Sequence, residues 1–416
     1  MTVAGANPGG GSSVRPARRP SLRDANLRAV LRAVTAADDA PSRAHVAAAT
    51  GLTRSTVSRL VDDLVAAGLV DELSPRQGRG RGRPGTPLAP GGRVAALGIQ
   101  VNPGYLAARV LDLRGRTLVE SYLDTDLVNS DPAKSLRRLD HMVGRLLRQL
   151  PVESAVTGAV IALPGIVSVA QGKVLSAPNL GWADVRVEDF LGASLADLPL
   201  RVGNEADLAA LTVAQRAPGR AGHLTDFLYV SGEIGIGGAA VVGGRVFPGR
   251  HGWAGEIGHI AVDPTGPPCR CGSSGCLEQY AGLQALLTAA GLPPDDSLGE
   301  LVERVDAGDR SARRAVDTAG RALGVALASA VNVLDLPTVV LGGHLADAAD
   351  ALKPVVEREL RARVLSAAWQ PVAVEVATAD VAAGATGAAY SMLDEVIDGP
   401  AHWLDAWSSG LAPAVT

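Results

Sequence analysis

The chain has 416 residues, 47% of them hydrophobic and 20% charged, with a formal net charge of -4. That length suits two or three domains and the apolar content can fill a core in each, which excludes a disordered chain. No run of about 18 uncharged apolar residues occurs and the first residues hold no apolar signal core, which excludes a membrane span and predicts a cytoplasmic location.

The charge is unevenly placed. Residues 1–95 hold fourteen Arg, no Lys and seven acids, giving +7, so the remaining 321 residues carry -11. A basic N-terminal part invites a polyanion such as DNA, and the acidic remainder does not.

Residues 1–20 are rich in Gly, Ser, Pro and Arg, offer nothing to bury and are predicted to be a disordered arm. Residues 21–93 are predicted to form a winged helix-turn-helix. "SLRDANLRAVLRAV" sets Leu27, Val30, Leu31 and Val34 at helical spacing. "SRAHVAAATG" gives a short second helix, capped by Ser42 and ended by Gly51. "LTRSTVSRLVDDLVAAGLV" gives a third, capped by Thr53, with an apolar stripe of Val57, Leu60, Val61, Leu64 and Val65. A tight turn between helices two and three, the latter opening with Arg and Ser, is the pattern of a recognition helix entering the major groove. The candidate DNA contacts are Arg43, Thr53, Arg54, Ser55, Thr56, Ser58 and Arg59. After them, "SPRQGRGRGRPGTPLAP" spaces Arg79, Arg81 and Arg83 with glycines, as a wing whose arginines lie in a minor groove.

From Val94 the pattern is α/β. "VAALGIQV" reads as a strand, "LAARVLDLRGRTLVESYLD" as a hairpin turning at Arg114-Gly115, residues 132–149 as an amphipathic helix and "VTGAVIALPGIV" as a further strand. A second round follows: the hairpin "LYVSGEIGIGGAAVVGGRVFPG", an Ala-rich helix near 311–335 and the strand "TVVLGGHLA". Repetition of this kind predicts two similar lobes, 94–200 and 201–384, with a cleft between them. A C-terminal helix and tail, 385–416, follow; the tail's two tryptophans are expected to pack on the body or on a partner subunit.

All three cysteines, Cys269, Cys271 and Cys276, lie within eight residues, and His259 stands ten residues ahead of the first. An odd number in a reducing compartment is not expected to form disulfides. Three thiolates and an imidazole are the ligand number and type of a tetrahedral zinc, and Gly272 and Gly275 let the chain fold back so that they converge. Four protein ligands close the shell, so the expected Zn2+ is structural. Glu256 and Glu278 flank the cluster, and carboxylates accept hydrogen bonds from sugar hydroxyls well.

In this order, "LGIQVNPGYLAARVLDLRGR", "APNLGW", "GNEADLAA", "GIGGAAVVGGRVFPGRHGWAGEIGHI", "CRCGSSGCLE" and "VVLGGHLA" resemble the ROK family (repressors, open reading frames and sugar kinases) over roughly residues 22–395. The resemblance implies an actin-like, ribonuclease-H-like pair of lobes behind the winged helix, with the C-terminal helix returning to the first lobe. Carried over by position, it implies a sugar site of Asn204, Glu205, Glu256, His259 and Glu278, with Gly165 and Asn179 as further candidates. A winged helix in front marks the family's transcriptional regulators, which implies a bacterial repressor of carbohydrate metabolism, xylose metabolism included, that is nucleoid-associated when bound to DNA. Expected partners are an inverted-repeat DNA operator, a small sugar or sugar-phosphate effector and a second chain, in a homodimer or homotetramer; no membrane is expected.

Family kinases begin with Asp-x-Gly-Gly-Thr, whereas "QVNPGY" puts Gln100 in place of the acid, Pro103 in place of an amide donor and Tyr105 in place of a small residue. Glu205 stands at the position of the kinase catalytic Asp and is one methylene longer; misplacing a catalytic group by about 1 Å can cost on the order of 100-fold. Glu233 lies where it would repel a phosphate. These departures imply a sugar receptor without catalytic residues; the alternative is an active ATP-dependent hexose kinase that also binds DNA.

Overall fold

The computed structural model describes residues 21–74, 86–294 and 296–408. The expected disordered arm and the wing arginines Arg79, Arg81 and Arg83 lie outside the described residues.

Helix α1 (Leu22–Thr35) opens on a reciprocal cap: the Ser21 hydroxyl accepts from Asp24 N and the Asp24 carboxylate accepts from Ser21 N. Helix α2 (Arg43–Thr50) starts at Ser42 and ends at Gly51, whose φ of 70° is the left-handed conformation that stops a helix. Helix α3 (Arg54–Ala66) is capped by Thr53 and buries Val57, Leu60, Val61 and Leu64. Strands β1 (Val70–Glu72) and β2 (Leu88–Pro90) then pair antiparallel. Three helices followed by this antiparallel pair are the described part of a winged helix.

Lobe 1 is built on β3 (Val94–Asn102), β4 (Tyr105–Asp112), β5 (Thr117–Asp124), β6 (Ala155–Leu163) and β7 (Leu200–Asn204). Their order is β7-β6-β3-β4-β5; β3, β4 and β5 run antiparallel, and β6 and β7 parallel to β3. Lobe 2 repeats the plan with β8 (Phe227–Gly232), β9 (Ile236–Val242), β10 (Arg245–Val246), β11 (Thr338–Gly343) and β12 (Ala373–Val376), in the order β10-β9-β8-β11-β12. The same sheet twice, each with a three-strand meander and two parallel strands, is the actin-like architecture. The division expected after residue 200 falls inside β7, which bonds to β6 from Leu200 to Asn204; lobe 1 therefore extends through Asn204.

Every residue of β3 is buried, because helices cover both faces of the sheet. On one side lies α4 (Pro132–Leu147), with an inward row of Leu136, Leu139, Val143 and Leu146. The other carries α5 (Glu205–Ala214) and α6 (Ala383–Asp398), the latter reached only after the whole of lobe 2. A Cβ at Gly98 would stand 1.8 Å from the Ala385 carbonyl oxygen, so α6 rests on the backbone of β3.

The chain then continues into α7 (Pro400–Ser408), which docks on the winged helix. Trp403 is 7% exposed, and its indole N–H donates to the Ala67 carbonyl at 3.1 Å, at the end of α3. Arg93 stacks over Trp407 at 5.3 Å, Arg32 pairs with Asp398, and Arg220 pairs with Asp38 at 2.9 Å. Leu27, Leu31, Leu60, Met392, Leu393, Ile397 and Trp403 share one core. The tail tryptophans, expected on the body or a partner, pack instead at the junction with the winged helix. Among the described residues no helix is long and apolar enough to cross a membrane.

Removing the Trp403 indole leaves a cavity in that shared core. Trp403→Ala is expected to lower stability by about 3 kcal/mol in urea denaturation, whereas Trp369→Ala, at a side chain 81% exposed, should change it by less than about 0.5 kcal/mol. Equal effects would show that Trp403 is no anchor.

Candidate functional site

The ends of β3, β7, β8 and β11 meet at a cleft between the lobes, about 940 Å³ in volume and open to solvent on one side. Gly165, Asn179, Asn204, Glu205, Glu256, His259 and Glu278 all line it, although they come from five separate stretches of chain. Gln100, Asn102, Tyr105, Ser231, Glu233 and Asp380 complete its polar wall.

Asn204 ends β7 and caps α5. Its Oδ1 accepts from Ala206 N at 2.8 Å and Asp207 N at 3.1 Å, and its Nδ2 donates to the Gly165 carbonyl at 2.9 Å. It joins two walls of the cleft and holds the next residue, Glu205, in place. Glu205 Oε1 in turn accepts from Gln100 Nε2 at 2.6 Å and Asn102 Nδ2 at 2.7 Å. Gln100 also donates to the Tyr105 hydroxyl at 2.8 Å and accepts from Ala385 N at 3.1 Å, tying Glu205 to the first turn of α6. Asn102 further accepts from Gly104 N at 2.9 Å, which occupies an amide of the β3–β4 turn. Reading the sequence for Gln100 missed Asn102; the signal was its spacing, since residues two apart on a strand share a face.

The opposite wall is carried by the cysteine loop. Cys271 Sγ and Cys276 Sγ are 3.7 Å apart, Cys269 Sγ and His259 Nδ1 are 3.8 Å apart, and all four ligand atoms lie within 4.8 Å of one another. Thiolates about 2.3 Å from a tetrahedral cation stand about 3.8 Å apart, so the cluster fits a bound metal ion. Gly275 makes the fold-back possible: its φ is 66°, and a Cβ there would lie 1.5 Å from the Asp263 carbonyl oxygen. His259 turns Nδ1 to the sulfurs and Nε2 to the cleft, 4.0 Å from Glu256. Two residues beyond Cys276, Glu278 Oε2 accepts from Asn179 Nδ2 at 3.3 Å and Ile236 N at 3.4 Å, leaving Oε1 for the cleft.

Carboxyls crowd this space. Burial raises Glu205, Glu256 and Asp207 above the usual carboxylate range, Asp207 to about 7 with a contribution from Glu256. Asp207 Oδ1 is buried without a partner. Glu233 is pushed up to about 8 by burial and by the nearby charges of Glu205 and Asp347.

On the winged helix, Arg54, Ser55 and Arg59 are exposed along α3, and Thr56 and Ser58 are half-buried. Thr53 accepts from Thr56 N at 3.2 Å as the cap of α3. The Arg43 guanidinium donates to the Ser58 carbonyl at 3.0 Å, Asp62 at 2.7 Å and Glu72 at 2.8 Å, so it fastens α2 to α3 and β1.

Fold and cleft together define a class, the two-lobed ribonuclease-H-like proteins fused to a winged helix. The ROK family matches residues 96–395 and the MarR family residues 28–80, and the chain belongs to the ROK family. It is similar to the xylose repressor of Bacillus subtilis, 27% identical over 366 residues that cover 88% of this chain and 92% of the relative. A crystal structure of a ROK family transcriptional regulator, a homologue of the Escherichia coli Mlc protein, superposes with a TM-score of 0.74 at 25% identity, covering 92% of this chain and 99% of the other. A ROK family glucokinase from Streptomyces griseus, in complex with glucose and AMPPNP, superposes with a TM-score of 0.60 at 26% identity, covering 71% and 98%.

Because Glu233 titrates near 8 in the fold and near 4.5 in an open chain, the folded state keeps a proton that the unfolded state has lost between those values. Stability therefore falls as pH rises from about 4.5 through 8, by up to about 1.4 kcal/mol per pH unit for this group. Glu233→Gln should make the decline between pH 6 and pH 8 shallower in denaturant titrations. Parallel declines would remove Glu233 as its source.

Proposed function

We propose that the protein is a sugar-responsive, DNA-binding transcriptional regulator, acting as a repressor of carbohydrate genes, and that its kinase-like body has no kinase activity. The observation that carries the reading is the continuity of cleft and DNA-binding head: α6 begins at the cleft wall with Ala383 and Gly384 and ends at Asp398, paired with Arg32 of the winged helix. A sugar that draws the lobes together moves the first turn of α6 through Gln100 and Glu205. The far end of the same helix carries the winged helix with it.

Arg54, Ser55, Thr56, Ser58 and Arg59 of α3 are assigned to the major groove, and Arg79, Arg81 and Arg83 to the adjacent minor groove. Two recognition helices about 34 Å apart serve an inverted repeat, so the binding unit is a homodimer or a pair of them. His259, Cys269, Cys271 and Cys276 hold a structural Zn2+, in keeping with their thiolate and imidazole chemistry. With Nδ1 turned to the sulfurs to hold the metal, His259 would present its Nε2 hydrogen as a fixed donor to a sugar oxygen, beside the acceptors Glu256 and Glu278. Asn204 positions Glu205 more than it contacts the sugar, since both ends of its amide are engaged. Gly165 and Asn179 line the same pocket from lobe 1.

An active hexose kinase is the second reading, favoured by Glu205 standing in the cleft of a fold shared with glucokinases. Against it, Oε1 of that carboxylate already accepts from both Gln100 and Asn102. Operator affinity measured with and without D-xylose, D-glucose and N-acetyl-D-glucosamine separates the readings. A regulator should show a coupling of about 1–3 kcal/mol with one of them and no ADP release. Turnover abolished by Glu205→Ala would establish the kinase.

The zinc assignment has its own outcome. Cys271→Ser should lower bound zinc from one per chain toward zero by elemental analysis and remove the sugar response, with DNA binding by the winged helix retained. A variant that loses zinc yet responds to sugar normally would refute the scaffold role.

A further inference from the structure

The balance of charge around the cleft specifies the effector more narrowly than "sugar". Five carboxyl groups line it, those of Glu205, Glu233, Glu256, Glu278 and Asp380, and among the described residues no Lys or Arg does. Behind the wall Arg109 pairs with one of these carboxyls and is fully engaged: it donates to Asp380 at 2.6 Å, to Thr386 at 2.8 Å and to Glu120 at 2.9 Å. A phosphate dianion needs cations or a set of free backbone amides.

The amides that would otherwise receive an anion are already bound. At the N-terminus of α5, Ala206 N and Asp207 N donate to Asn204 Oδ1, and two acids, Glu205 and Asp207, occupy the first turn. At the start of α6, Ala382 N donates to Asp380 and Ala385 N to Gln100. Gly104 N donates to Asn102, and Ile236 N to Glu278.

Glu233 closes the remaining place. Its own N–H bonds the Gly235 carbonyl at 2.8 Å in the β8–β9 turn, and its carboxyl folds over the end of β11, where a Cβ on Gly343 would come within 3.0 Å of Glu233 Oε1 and 2.9 Å of Ser231 Oγ. The glycine-lined space between the ends of β8 and β11 thus already contains an acid. The raised titration of Glu233 and Glu205 points the same way, since the cleft disfavours even its own negative charges.

We propose that the effector is an uncharged, unphosphorylated sugar, and that Glu233 is the residue that bars its phosphate ester from the cleft. This rests on the sugar-sensor reading. Sugar hydroxyls donate to the free carboxylate oxygens of Glu205, Glu256 and Glu278. At a pH where Glu233 is ionised, a phosphate on the same sugar meets like charge with no counter-ion, a difference on the order of 100-fold in affinity.

The test is calorimetry on the full chain at pH 8.5, with D-xylose, D-glucose and N-acetyl-D-glucosamine, each against its terminal phosphate ester, and with inorganic phosphate as a further arm. The expected result is binding of at least one free sugar, with its phosphate on the order of 100-fold weaker and no binding of inorganic phosphate. In Glu233→Gln the gap should shrink by about tenfold. A phosphorylated sugar that binds as tightly as its parent overturns the proposal and leaves the sensor reading standing. A gap unchanged in Glu233→Gln overturns the role of Glu233. If no sugar binds in either form, the sensor reading fails and the proposal with it.

Discussion

At Gly98 the backbone of α6 lies directly on that of β3, with no room for even one methyl group between them. Much of the structure depends on this close approach. It brings the C-terminal helix back to lobe 1 after the whole of lobe 2, and it places the Ala385 amide on Gln100, whose other bond holds Glu205. It also aims the far end of α6 at the winged helix, where Ile397 and Trp403 enter the same core as Leu27 and Leu60. Packed interiors transmit displacement because they have little free volume. A helix seated on backbone has less still.

The two walls of the cleft are held by different physics. On lobe 1 a chain of neutral amides and a phenol, Asn102, Gln100 and Tyr105, surrounds one carboxyl. On lobe 2 a short loop with little core of its own presents Glu256, His259 and Glu278. Ile257 and Leu277 anchor its ends in the lobe 2 core, and between them the four possible ligand atoms converge within 4.8 Å of one another. His259 belongs to both systems through its two ring nitrogens. The thiol cluster and the cleft therefore meet at one residue, whose Nδ1 faces the sulfurs and whose Nε2 lies 4.0 Å from Glu256.

Legibility in the sequence tracks separation along the chain. Ser21, Ser42 and Thr53 were readable as caps because a cap bonds within its own first turn, and the cysteine cluster because its ligands span only eighteen positions. The bracing role of Arg43 was not readable because its partners, Asp62 and Glu72, lie 19 and 29 residues away, and nothing local marks an arginine that braces a fold. The tail was unreadable for the same reason: Trp403 finds Ala67 across 336 residues. The cleft residues were brought together by resemblance, and the resemblance carried no information on Asn102 or Asp207.

The sequence by itself determined the local matters: a basic three-helix head, two rounds of strand and helix, and four soft ligands in one loop. Each follows from contacts between near neighbours, where residue type and spacing nearly decide the geometry. Only the tertiary structure decided that the head shares a core with the body, that Glu205 is held by Gln100 and Asn102, and that, among the described residues, five carboxyls face one cleft without a lysine or arginine. Those are sums over distant residues. Charge and burial accumulate through space, so a cleft assembled from residues 100 to 384 acquires its character only when the chain has closed around it.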